Sequence, residues 1–456
     1  MSLAGSDTDR PNIVLLHCHD LGRHLHCLGA ATVRTPHLDR LAAESVVLEQ
    51  MFATAPQCSP SRASLFTGRW PHANGVLGLT HRGFAWDLHP AERHLAALLH
   101  DHGYATEMVG VHHESRRVSD EQLAGRLGFD RVRTGGMAET VAQRGVEALE
   151  RLAAAGRPFY LQAGFIEPHR LPGARDAAGT MGFIGDHMEP DSERGVAVPP
   201  YLVDDGPARE EIAELQGAIE YMDRGAGRIL DAIDRLGLAR NTVVVFTTDH
   251  GLALPRAKCS LYDPGTEVAF MLRYPARGWG GGRREDALLS NVDVLPTLLE
   301  LTGAHTEGPP LHGRSFLPLL DGEPYEPAQQ VFTEMTFHDY YDPRRAVRTR
   351  RHKLIVNFSS APGFMDPTQS WNRRCRAVDA NPYPNTEAHP DHELYDLLDD
   401  PHELVDLAAD PAHAHVLRAL ADQLHTWMTT TDDPLLRGAV TSPLHRRSSL
   451  MLAGQA

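Results

Sequence analysis

Four short strand-like runs in this sequence each lead into a polar cluster, and that pattern constrains the fold more than any other feature. NIVLL at 12–16 leads into His19-Asp20, and ATEMV at 105–109 into His112-His113. FYLQA at 159–163 leads into Glu167-Pro168-His169, and TVVVF at 242–246 into Asp249-His250-Gly251. A continuous apolar run such as TVVVF reads as a strand buried on both faces. A further strand is expected at 268–272. Helical stretches lie between the runs: 36–51, with Pro36 in its first turn, 91–102, stopped by Gly103, then 210–236 and 291–301. Strands alternating with helices predict a large, mostly parallel sheet covered on both sides. Ligands bind such sheets at the carboxyl ends of the strands, so the four polar clusters are expected to converge.

The chain has 456 residues, 42% hydrophobic and 23% charged, which is ordinary globular composition and long enough for a large domain with an appendage. The pattern changes near Ala346. AVRTRRHKLIVNF reads as two extended pieces around a basic turn, and ELYDLLDDPHELVDLAADP precedes a closing helix at 413–429. The expectation is an α/β unit over 1–345 and a small α+β unit with an antiparallel sheet over 346–456. The Pro/Gly/Asp-rich stretch between His169 and Arg209 reads as a lid loop or a disordered segment. Lys+Arg 44 against Asp+Glu 60 leaves a net charge of −16, which argues against nucleic-acid or membrane partners. An anionic substrate would need locally concentrated positive charge. No apolar run approaches a membrane span. MSLAGSDTDR has neither a basic n-region nor an apolar h-region, so no secretory signal is visible; the sequence as it stands would be cytoplasmic, and the compartment is left open. Five cysteines are too few for a disulfide framework, and 27 histidines direct attention to metal or acid–base chemistry.

His19, Asp20, Asp249 and His250 offer two imidazoles and two carboxylates to one divalent ion. The plainer alternative is that the two aspartates only cap the turns that follow them. Cys58 opens CSPSRASLFTGRWPHANGV. Pro60 can begin a helix through 61–66, which puts Cys58 at a helix N-terminus where backbone N–H groups favour an anion. Arg62, one turn in, carries a fork suited to a tetrahedral oxyanion. A buried cysteine beside a proline turn, with Arg62 in a surface ion pair, accounts for the same five residues equally well.

The wider pattern resembles a known family. RPNIVLL, TPHLDRLAAESVVLEQMFATAPQCSPSRASLFTGRWPHANGV, Pro168-His169, VVVFTTDHG, Lys258 with LYDPG, and ELYDLLDDPHE are similar to the type I, formylglycine-dependent sulfatases of the alkaline-phosphatase superfamily. CSPSRASLFTG, Pro168-His169-Arg170 and ELYDLLDDPHELVDLAADP resemble the heparan N-sulfatase (sulfamidase) branch most. The resemblance implies an alkaline-phosphatase-like sandwich. It also implies that a formylglycine-generating enzyme converts Cys58 to formylglycine, whose gem-diol is the nucleophile. Arg62 would fix that group and the helix end. His113 would act as base, and His169 and Lys258 would bind sulfate and assist the leaving group. Asp20, Asp249, His250, the Cys58-derived group and His19 would hold one divalent ion, calcium by resemblance.

Two departures stand out. His19-Asp20 occupies a place where the family usually has two adjacent aspartates, and imidazole suits manganese or zinc better than calcium. Val111 stands where the family's Gly-Lys-x-His has its lysine, so either His112 replaces that cation or the substrate needs less charge there. The resemblance to the sulfamidase branch implies that Arg170 lies near the sugar end of the pocket. The resulting expectation is a hydrolase that removes sulfate from a small anionic sulfated or N-sulfated substrate, one group at a time. A phosphonate or phosphate diester hydrolase of the same superfamily is the alternative. A non-catalytic anion binder would have no need of the intact Cys-x-Pro-Ser-Arg signal.

Overall fold

The computed structural model describes residues 10–81, 83–170, 182–183, 188–305, 307–360, 374–379 and 389–455. The large sheet contains β1 (Asn12–Cys18), β2 (Val46–Phe52), β3 (Ala105–Gly110), β4 (Arg131–Thr134), β5 (Phe159–Gly164), β6 (Thr242–Thr248), β7 (Phe270–Arg273) and β8 (Arg283–Ser290). Their order is β4-β3-β5-β1-β6-β7-β2-β8. Every neighbouring pair is parallel except those made by β7, which runs against both β6 and β2. β1 lies near the middle and alternates between two cores. Ile13 and Leu15 pack with Ala63, Phe66 and Leu295 on one side. Val14 and Leu16 pack with Val141, Leu149 and Ile229 on the other. Helices Ala138–Ala155 and Gly206–Arg235 cover the second side, and Cys58–Thr67 and Val294–Thr302 the first. No helix among the described residues is long and apolar enough to cross a membrane.

The expected helix at 36–51 is corrected. It runs only over Pro36–Ala43, and the remainder is β2, paired in parallel with β8. Val46 and Val47 are stiff at χ1 and favour the sheet over another helical turn.

A second sheet is antiparallel, in the order β12-β11-β10-β9. It comprises β9 (Gln330–Phe337), β10 (Tyr341–Thr349), β11 (His352–Asn357) and β12 (His392–Asp396). Helix Ala414–Thr430 packs Leu420, Leu424 and Trp427 onto its Val347, Leu354 and Leu394. The expected division at 345/346 falls inside β10, where Arg345 pairs with Glu334 of β9. The sheet therefore starts upstream of that division. β9 is hidden in the sequence because it buries polar residues: Thr333, Glu334 and Thr336 are all inside, and Glu334 faces Arg345 Nε at 3.2 Å. Asp263, just downstream of Lys258, binds Lys353 at 2.5 Å and Arg348 at 2.9 Å, which ties the small sheet to the loop that carries Lys258. Of the stretch expected as a lid or a disordered segment between His169 and Arg209, residues 171–181 and 184–187 lie outside the described residues.

Candidate active site

The strands that precede the four polar clusters are immediate neighbours, in the order β3-β5-β1-β6. Their carboxyl ends therefore deliver His112-His113, His169, His19-Asp20 and Asp249-His250 to one place. The ends approach closely only because of glycine. Val111 N donates to Gly164 O at 2.8 Å. Gly110 has φ +87°, and a Cβ there would meet Gly164 O at 2.0 Å. Asp20 also lies in the left-handed region, at φ 51°, where aspartate is tolerated better than most residues.

Asp249 organises the centre. Its Oδ1 accepts the backbone N–H groups of Asp20 and His250, both at 2.9 Å. Its Oδ2 accepts Arg62 Nη2 at 3.0 Å and Nε at 3.2 Å. Arg62 also donates to Cys18 O at 3.0 Å and meets His17 Nδ1. Asp20 is gripped by Lys258 Nζ, 2.9 Å from both carboxylate oxygens. His250 Nδ1 donates to Gly251 O at 3.0 Å, which leaves the Nε2 lone pair directed into the site. That Nε2 lies 3.2 Å from Asp20 Oδ1, 3.3 Å from Cys58 Sγ and 3.6 Å from Asp249 Oδ2. The aspartates thus do more than cap turns, and Arg62 is a buried anchor of Asp249, not a surface ion pair.

His19 is fully buried, yet neither ring nitrogen has a hydrogen-bond partner among the described residues. Its Nδ1 approaches Asp249 Oδ2 at 3.1 Å without hydrogen-bond geometry. Burial, helped by Arg62, takes its pKa down to about 3, so the imidazole is neutral. A buried, neutral imidazole beside two carboxylates is a donor set suited to a cation. One ligand atom each from His19, Asp20, Cys58 and Asp249 lies within 4.8 Å of the others. Burial opposes the charge on Asp249, but His250 and Arg62 outweigh it and hold the carboxyl well below its usual range. Burial likewise opposes the charge on Lys258, and Asp20 more than compensates, raising the ammonium pKa. These residues fit a divalent ion.

Cys58 is the first residue of helix Cys58–Thr67, all of which is buried. Burial pushes its thiol up to about 12 despite the nearby lysine and arginine. An unmodified thiol here is protonated at neutral pH. His169 Nδ1 donates to Arg170 O at 2.7 Å, and its Nε2 faces Asp20 Oδ2 at 3.8 Å. His113 packs edge-to-face against His19, ring centroids 5.0 Å apart. Its Nδ1 has no hydrogen-bond partner among the described residues, and ring nitrogens of His113 and His19 lie within 4.8 Å of each other and of Cys58 Sγ. His112 is buried next to it, also with an unpartnered Nδ1.

Arg170 differs from expectation. It is 1% exposed, with Nη1 2.5 Å from Glu211 Oε1, Nε donating to Ala253 O at 3.1 Å, and the guanidinium 4.1 Å over the Phe183 ring. Its ion pair joins the His169 loop to helix Gly206–Arg235. Arg170→Ala is therefore expected to leave Glu211 buried and unpaired and to destabilise the fold by about 3–5 kcal/mol. Denaturant unfolding checks this; a change confined to sugar substrates, at unchanged stability, would restore the expected sugar-reading role. Three contributors escaped sequence reasoning. Ser61 Oγ donates to Asp249 O, Asn291 Nδ2 donates to Ser61 O at 3.1 Å, and His17 at the end of β1 meets Arg62. Asn291 directly follows β8, the one sequence signal that could have marked it.

The sulfatase family model matches residues 11–304, and the model for the C-terminal region of N-sulphoglucosamine sulphohydrolase matches 256–366. Human N-sulphoglucosamine sulphohydrolase is 30% identical, over 93% of this chain and 91% of its own length. A Formosa agariphila ulvan-active sulfatase is 28% identical over 93% of this chain and 76% of its own. Among solved structures, a 2-O GAG sulfatase aligns with TM-score 0.71 at 21% identity, covering 95% of each chain. One in complex with its substrate D-glucosamine-2-N,6-O-disulfate aligns with TM-score 0.68 at 18% identity, covering 93% of this chain and 99% of that one. The chain belongs to the sulfatase family, near the sulfamidase branch.

Proposed function

We propose that the protein removes sulfate from a small O- or N-sulfated sugar, with Cys58 in its formylglycine form and one divalent ion. The observation that carries this reading is the position of Cys58, at a buried helix N-terminus with Sγ 3.3 Å from His250 Nε2. Its raised thiol pKa makes a thiolate nucleophile unfavourable, so an oxygen nucleophile derived from it suits the site better. A separate formylglycine-generating enzyme supplies that modification. The hydrated aldehyde offers one hydroxyl to attack sulfur and a second whose deprotonation re-forms the aldehyde and expels sulfate. The ion, bound by Asp20, Asp249, His250 and His19, would polarise oxygens of the nucleophile and of the sulfate.

The remaining work falls to this chain's side chains. Arg62 holds Asp249, and with it the backbone of Asp20 and His250, in ligand geometry. Lys258 and His169 flank Asp20; Lys258 presents its ammonium N–H groups to the sulfate, and His169, once Nε2 is protonated, gives that proton to the leaving group. His113 takes the proton from the second hydroxyl. His112 contributes the additional donor where Val111 replaces the family's lysine. The net charge of −16 disfavours long polyanions and leaves binding to this local cluster, which suits a short substrate. The similarity to human N-sulphoglucosamine sulphohydrolase supports a sugar sulfamate or sulfate.

The test presents the modified, metal-loaded enzyme with glucosamine N-sulfate, O-sulfated monosaccharides, an aryl sulfate and an aryl phosphonate. Turnover of a sugar sulfate or sulfamate is the expected result. Turnover of the phosphonate alone would transfer the assignment to a phosphonate or phosphate diester hydrolase.

A further inference from the structure

One buried carboxylate near the site has no part in the chemistry described so far. Glu114 is 0% exposed and directly follows His113. Its Oε2 accepts the backbone N–H of His113 at 2.7 Å. Its Oε1 accepts Gln162 Nε2 at 3.2 Å and faces His94 Nε2 at 3.6 Å. His94 is itself fixed, because Ala96 N donates to its Nδ1 at 3.1 Å, so the ring proton sits on Nε2, on the side that faces Glu114 beyond hydrogen-bond distance. Gln162, on β5, accepts Tyr160 OH at 2.9 Å and contacts His17 at 3.4 Å. His17 in turn meets Arg62.

The other side of the His113 backbone is held as well. Thr80 Oγ1 donates to His113 O at 3.0 Å. Thr80 N donates to Ser59 Oγ at 3.2 Å, and Ser59 is the neighbour of Cys58 on the same helix. The N–H and C=O of His113 are therefore both clamped, one through Glu114 to the strand carrying Gln162, the other through Thr80 to the helix carrying Cys58. A buried carboxylate is costly unless it is fully engaged, and an apolar residue would fill the same space more cheaply. Burial pushes the Glu114 carboxyl up, but His94, His112 and His17 together hold it well below its usual range, so it acts as an acceptor only.

We propose that Glu114 is a positioning residue for His113, a buried acceptor that fixes the His113 backbone so that the ring addresses the Cys58-derived nucleophile. This rests on the reading above in which His113 takes the proton that releases sulfate. Glutamine in place of Glu114 has a single side-chain oxygen with which to accept. Its amide nitrogen would then face either the His113 N–H or the Gln162 amide donor.

The experiment compares the parent, Glu114→Gln, Glu114→Asp and Thr80→Val with para-nitrophenyl sulfate, each with formylglycine content and bound metal measured. With both equal to the parent's, Glu114→Gln should lower kcat on the order of 10–100-fold with KM within about 2-fold. Glu114→Asp, which keeps the acceptor oxygens, should recover most of kcat. Thr80→Val, nearly isosteric, should lower kcat in the same direction from the opposite side of the clamp, and it decides the matter if Glu114→Gln does not fold. An unchanged kcat in Glu114→Gln, a loss carried by KM, or an aspartate variant no better than glutamine would overturn the proposal. A parent enzyme that is modified and metal-loaded but inactive on every sulfate would instead overturn the functional reading beneath it.

Discussion

Replacing Cys58 by alanine is expected to abolish turnover, by on the order of 10⁵–10⁶ in kcat, the loss seen when an enzyme's nucleophile is removed. The fold should survive, because the change removes one sulfur from a helix whose other contacts remain. Cys58 is 2% exposed, and its Sγ contacts are the polar His250 Nε2 at 3.3 Å and Asp20 Oδ1 at 3.9 Å, not a tightly packed apolar wall. Thermal unfolding of Cys58→Ala within a few degrees of the parent, together with absent turnover, is the expected pair of results. Residual activity near the parent's would remove Cys58 from the mechanism.

Asp249→Ala should be more damaging still, because it breaks several interactions at once. The backbone N–H groups of Asp20 and His250 lose their acceptor, and Arg62, 1% exposed, is left with a buried uncompensated charge. A destabilisation of about 3–5 kcal/mol is expected from that charge alone. Bound metal and turnover should be lost together, as measured by elemental analysis and steady-state rates. The identity of the ion is part of the same prediction. Calcium takes six to eight oxygen ligands. Here Asp249 Oδ1 is occupied by two backbone donors, its Oδ2 is shared with Arg62, and Lys258 takes part of Asp20. Two imidazoles complete the set, a donor mix better matched to manganese or zinc. Chelated enzyme should therefore regain activity with manganese or zinc more fully than with calcium. Full recovery with calcium alone would contradict the proposed role of His19.

The core of the large sheet was legible because TVVVF and NIVLL are apolar on both faces, a pattern that only a doubly covered sheet accommodates. The convergence of His19-Asp20, His112-His113, His169 and Asp249-His250 followed from their common place after strands, since neighbouring parallel strands bring equivalent ends together. Other features were not legible, for reasons that are physical. Residues 36–51 carry a helical period into a segment whose valines are captured by strand partners from the far end of the domain. β9 buries Glu334 against Arg345, so its polar residues disguise an inward face. Arg170 looked like a ligand-reading cation because its partner, Glu211, lies on a helix whose docking no local pattern reveals. Glu114 was passed over for a similar reason, since the groups that face it, Gln162 and His94, come from separate elements.

The most direct test of the whole account is the mass of the tryptic peptide spanning 41–62 from enzyme produced alongside a formylglycine-generating enzyme and shown to hydrolyse a sulfate ester. The account predicts an aldehyde at position 58 in the active fraction, with activity rising in proportion to its content. Active protein in which Cys58 remains entirely a thiol would contradict it.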